Sequence, residues 1–157
     1  MADNLKSDAF LSSFDAAQRE TLLKIANRKQ FKAGQSIFRQ GEEANGFYLI
    51  ESGLVSLDYE LPQKRRIEIQ QLGPGEVLGW SWLSKPYKWK FGATAIDDVT
   101  AGFFPSADVR EQCERDPKLG YALMERIAHA LTERLQATRH KLLVFAQRAS
   151  GEDAQIC

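Results

Sequence analysis

The chain has 157 residues, 43% of them apolar and 27% charged, with 21 Lys and Arg against 21 Asp and Glu. That length can bury one core without disulfides or structural metal, and the composition excludes disordered and collagen-like classes. The even charge lacks the excess of nucleic-acid binders, and neither a signal-peptide pattern nor an apolar run approaching about 18 residues is present, so a cytoplasmic protein off the membrane is expected.

In chain order, Asp15 followed three residues on by Gln18 reads as a capping box opening a short helix over 15–27, with Leu22, Leu23, Ile25 and Ala26 as its apolar set. Glycines then punctuate the chain at Gly34, Gly41, Gly46, Gly53, Gly73, Gly75, Gly79 and Gly92. Between them lie strand-like pieces: Phe47 to Ile50, Leu54 to Tyr59 and Ile67 to Ile69, the last two alternating apolar with polar. Many short strands with glycine turns predict a roll or barrel over 28–105. Ser52-Gly53 reads as a hairpin turn, and Leu61 to Lys64 as an exposed loop returning into Arg66 to Leu72.

Pro105-Ser106 introduces a short helix over 106–115. Asp116-Pro117 then starts the longest one, 117–147, since Asp caps free amides and Pro at the first helical position forfeits no hydrogen bond. Its stripe of Leu123, Ile127, Leu131, Leu135, Leu142 and Phe145 recurs at steps of four and three, with Thr138 in the row. At roughly 45 Å the helix is longer than a small domain is wide, which predicts a homodimer formed through it. The expected plan is one domain over 1–148 and a tail over 149–157.

Three strings carry a resemblance: FKAGQSIFRQGE from Phe31 to Glu42, YLIESG from Tyr48 to Gly53, and LGPGEVLG from Leu72 to Gly79. In that order and spacing they resemble the recurring turns of the cyclic-nucleotide-binding domain of the catabolite activator protein (Crp/Fnr-like) superfamily, over roughly Phe10 to Lys141. The resemblance implies a mainly β fold with flanking helices: an antiparallel β-roll (double-stranded β-helix, jelly-roll-like) with an N-terminal helix, a short helix and a long C-terminal helix.

The resemblance also implies that the stretch after Gly79 is a phosphate-binding cassette, a short turn whose backbone amides hold a cyclic phosphate. The family usually adds a glutamate beside the glycine for the ribose and an arginine roughly ten residues later for the phosphate. Here Trp80 stands at the glutamate position and Trp89 or Lys90 at that of the arginine. Ser81 and Lys90 remain as donors to an anion, and Arg134 and Thr138 match the arginine and threonine that the family's long helix presents to ligand. The ligand-binding candidates are therefore Gly79, Trp80, Ser81, Trp82, Trp89, Lys90, Phe91, Arg134 and Thr138.

Two readings of Trp80, Trp82, Tyr87, Trp89 and Phe91 stand side by side: rings lining a pocket for a planar ligand, or rings filling the space a nucleotide would take. Both histidines, His129 and His140, fall on the long helix, so a cupin-like metal centre lacks its ligands, two distant cysteines cannot hold an iron-sulfur cluster, and no catalytic constellation is recognisable. The expected function is a non-catalytic sensor domain in which cyclic AMP, cyclic GMP or another small anionic or planar ligand biases the long helix. The alternative is a protein-interaction scaffold that keeps the roll and has lost nucleotide binding. No cofactor and no direct DNA binding are expected, since the family's helix-turn-helix domain does not follow the long helix in this chain.

Overall fold

A computed structural model describes residues 9–150. Two short helices come first, α1 (Ala9–Ser12) and α2 (Ala16–Ile25). Eight strands follow: β1 (Asn27–Phe31), β2 (Ser36–Phe38), β3 (Gly46–Ser52), β4 (Val55–Glu60), β5 (Arg66–Leu72), β6 (Val77–Leu78), β7 (Gly92–Ala95) and β8 (Val99–Pro105). A 3-10 turn, Ser81–Leu83, lies between β6 and β7, and α3 (Ser106–Arg115) and α4 (Pro117–Ala149) close the order. The chain forms two compact units, residues 1–120 and 121–157. The tail expected over 149–157 lies outside the described residues from 151 onward.

The first unit is an antiparallel β-roll of two four-stranded sheets, β1-β8-β3-β6 and β2-β7-β4-β5. The mainly β fold expected from the glycine-punctuated strands is thus the observed one. Strand β3 is the central wall of the first sheet. It pairs with β8 from Gly46↔Pro105 to Ser52↔Thr100, and with β6 through Tyr48↔Leu78 and Leu49↔Val77. Five consecutive residues, Gly46 to Ile50, are buried, so both of its faces are covered. Successive side chains on a strand point to opposite faces, and the ring contacts follow that rule. Phe47 stacks on Phe104 at 4.7 Å and meets Phe10, whereas Tyr48 meets Phe31, Phe38 and Phe103. Phe38 belongs to the opposite sheet, so the Tyr48 face is the roll interior and the Phe47 face is its outside, under α1.

The helix starts follow the sequence closely. Gln18 N donates to Asp15 Oδ1 at 2.7 Å and Asp15 N donates to Gln18 Oε1 at 3.2 Å, which is the reciprocal capping box. Asp116 Oδ1 accepts from Leu119 N at 3.3 Å at the head of α4. Helix α2 is shorter than the stretch 15–27, because Asn27 already pairs with Phe103 in the sheet.

Ser52-Gly53 is not a hairpin turn. β3 and β4 lie in different sheets, and the turn carries the chain from one to the other. Gly53 has φ +90°, and a side chain there would collide with the carbonyl of Asp98 and with Val99. Closeness in sequence suggested pairing, but strands with both faces buried take their partners from the whole sheet. By contrast, β4 and β5 do pair antiparallel across the Leu61 to Lys64 loop.

The second unit is α4 from Tyr121 onward. Over its last turns Leu135, Leu142, Leu143 and Phe145 are exposed, the last at 70%.

Candidate functional site

The stretch expected from the resemblance to be the cassette lies between β6 and β7, and its start is set by Gly79. This residue has φ +101°, in the left-handed region where a side chain is strained. Space forbids one as well: a methyl group on Gly79 would lie 2.7 Å from the six-membered ring of Trp89. The 3-10 turn follows, with Trp80 at its N-terminal boundary offering no side-chain cap.

Trp89 is 4% exposed and lies flat on Phe38, 3.8 Å between centroids and 12° between planes. Its backbone is fixed as well, since Trp89 N donates to Glu42 O at 2.9 Å and Trp89 O accepts from Gly41 N at 2.8 Å. Through Phe38 it joins Tyr48, on the interior face of β3. Burial pushes the Tyr48 phenol above its usual value, as expected where the charged form would be desolvated. Trp82 goes the other way. It is 2% exposed and stacks on Phe47 at 5.6 Å, on the outer face. Its indole Nε1 is buried with no hydrogen-bond partner among the described residues.

The aromatic residues expected to form one cluster are therefore divided by β3. Trp89 is interior, Trp82 is exterior, Trp80 is half-buried, and exposed Phe91 meets Tyr59 edge-on at 5.9 Å. The physical reason is strand parity: neighbours Phe47 and Tyr48 present opposite faces, and each tryptophan pairs with one of them. Lys90 is exposed and Ser81 half-buried. Arg134 and Thr138 lie one helical turn apart in the second unit, half-buried and exposed respectively.

Two functional-looking residues escaped the sequence reading. Phe38, the platform for Trp89, sits inside a glycine-anchored string but looks like any strand residue. Arg110 of α3 donates to the carbonyl oxygen of Trp82, and its guanidinium lies 5.5 Å from the Trp82 ring and 5.4 Å from the Tyr87 ring. Nothing local distinguishes it from other surface arginines of an amphipathic helix. Among the described residues no group of three or more His, Cys, Asp or Glu is placed to hold a metal ion, and no helix is long and apolar enough to cross a membrane.

The two-sheet roll with its glycine-started turn after β6 defines a small-domain β-roll of the sheet order described above. A family model of the cyclic nucleotide-binding domain matches residues 28–116, and the chain belongs to that family. It is similar to the nitrogen fixation regulation protein FixK of Bradyrhizobium diazoefficiens, 26% identical over 94% of this chain and 60% of the relative. It is 31% identical to the transcriptional regulator LdrP of Thermus thermophilus over 74% of this chain and 62% of that one. The chain thus spans about three fifths of the length of these curated relatives. Among solved structures, a candidate cyclic nucleotide-binding protein from Geobacter metallireducens matches with TM-score 0.75 and 29% identity, over 86% of this chain and 99% of that one.

Proposed function

We propose that this chain is a non-catalytic regulatory module whose interior nucleotide space is filled by its own side chains, and that it signals through protein association. The observation that carries the reading is Trp89. Trp89, which with Lys90 is one of the two residues expected where the family has its phosphate-binding arginine, is stacked on Phe38 and packed over Gly79. A cyclic phosphate at the cassette amides would have to displace a buried ring, at a cost of about 3–5 kcal/mol by analogy with removing such a side chain. A free Cys113 suits a reducing, cytoplasmic setting.

The partner in this reading is a second copy. Leu131, Leu135, Leu142 and Phe145 recur at intervals of three, four and seven and are all exposed in the single chain. That spacing is the pattern of a helix pair. The 33-residue α4 is about 50 Å long, enough for several turns of contact.

A second reading keeps a small anionic or planar ligand at an altered cassette, with Ser81 and Lys90 as donors. It draws on the 3-10 turn, whose start has no side-chain cap. Thermal melts with cyclic AMP and cyclic GMP separate the two. A ligand at a hundredfold excess over its dissociation constant adds about 2.7 kcal/mol, a shift of several degrees. A flat response with a dimer in sedimentation equilibrium supports the association reading. A shift with either nucleotide overturns it.

A further inference from the structure

On the outer side of the roll, away from the interior that Trp89 fills, a cleft of about 480 Å³ opens where the Glu43 to Asn45 loop, the Trp82 to Tyr87 segment and the start of α3 meet. That is a common size for small-molecule sites, which combine apolar walls with a few convergent polar groups. Its walls include Ala44, Trp82, Pro86 and Tyr87. We propose that this cleft binds a small monocarboxylate with a planar or apolar body.

Arg110 carries the argument. Arg110 is exposed, but its guanidinium donates to the Trp82 carbonyl and lies over the rings of Trp82 and Tyr87, contacts that hold it toward the cleft. Among the described residues it has no acidic partner, and one of its donors is engaged while guanidinium offers five. A guanidinium fork with donors left over matches the two oxygens of a carboxylate. Ser106 and Asn45 bring a hydroxyl and a carboxamide to the same cleft, and neither side chain has a hydrogen bond among the described residues.

Glu43 sets the limit on charge. It is the one acidic residue among the lining residues, against Arg110 as the one cation, a balance that disfavours a dianion such as inorganic phosphate. The aromatic wall is itself held in place. Tyr87 has φ +56°, unusual for a residue with a side chain, and is pinned by Tyr87 N donating to Ser84 O at 2.9 Å and by its carbonyl accepting from Ala44 N at 2.7 Å. Such local strain persists where the surroundings over-determine it, and it tends to cluster at ligand sites.

The test is an amide NMR titration of the full chain with phenylacetate, 2-phenylethylamine and inorganic phosphate, each to about 10 mM, which reaches sites of millimolar affinity. Phenylacetate is expected to shift the signals of Asn45, Trp82, Tyr87 and Arg110 saturably, and the other two probes are not. Arg110→Lys keeps the charge but loses the fork, so affinity should fall about tenfold. Ser106→Ala, a half-buried position whose hydroxyl makes no bond, should keep the wild-type melting temperature and bind several-fold more weakly. No saturable shift with phenylacetate, an equal response to the amine or to phosphate, shifts centred on Phe38 and Trp89, or unchanged affinity in both variants would each overturn the proposal.

Discussion

Trp89 and Phe38, residues of two separate segments, lie face to face at 3.8 Å and are tilted by only 12°. In the proposed reading this pair occupies the space that a nucleotide would take. Truncating a buried tryptophan removes its contacts and leaves a cavity. Trp89→Ala is expected to lose about 3–5 kcal/mol of unfolding free energy in urea, and Phe91→Ala, at 38% exposure, far less.

Gly79 and Trp89 should be energetically coupled. Gly79→Ala alone forces a methyl group against the indole at a positive φ, a cost of about 1–3 kcal/mol. In the double variant Gly79→Ala/Trp89→Ala the steric part disappears, so the two losses should sum to more than the loss in the double variant. A double-mutant cycle by chemical denaturation measures that difference.

Removal of the cap at Asp15 should be mild and local. Asp15→Ala deletes the acceptor for Gln18 N and is expected to cost about 1 kcal/mol, read as a lower melting temperature. Asp15→Ser keeps an oxygen in place and should recover most of that loss.

Alkaline pH should weaken the fold through Tyr48. Its phenol is held above the ordinary tyrosine value by burial, so above that ordinary value the unfolded chain loses a proton that the folded chain keeps. Stability is therefore full below the unfolded value and declines as pH rises toward the folded one. Melting curves between about pH 9 and about pH 11 should fall less steeply for Tyr48→Phe than for the wild type. Cys113 shifts in the same direction, by burial first and then by Asp116, with Arg110 opposing, so Cys113→Ser makes the matching control.

Charge placed on the exposed stripe of α4 should separate the copies. Leu142 is 66% exposed in the single chain, so Leu142→Glu is expected to leave the melting profile of the roll unchanged and to reduce the mass seen in sedimentation equilibrium to that of one chain. A wild-type chain that is already monomeric at high concentration would contradict the helix-pair reading.

Much of the fold was legible because its signals are local. Asp15 with Gln18, Asp116 with Pro117 and the glycine-anchored strings each encode a cap or a turn within a few residues, and each of these elements is present. The Ser52-Gly53 turn was misjudged because sheet membership is decided by partners far along the chain: β3 takes β8 and β6, not the strand that follows it. The site was less legible for the same reason. Trp82 and Trp89 sit in one short segment, yet their environments depend on which of Phe47 and Tyr48 each one meets. Arg110 reaches a carbonyl 28 positions away, a contact that no periodicity in α3 announces.

The division of the tryptophans by β3 also gives the molecule two built-in optical reporters. Trp82, beside the outer cleft, and Trp89, inside the roll, are both shielded from water but watch different compartments. With Trp80 and one of these two replaced by phenylalanine, quenching of the remaining tryptophan tells whether an event has taken place outside the barrel wall or within it, without any added dye.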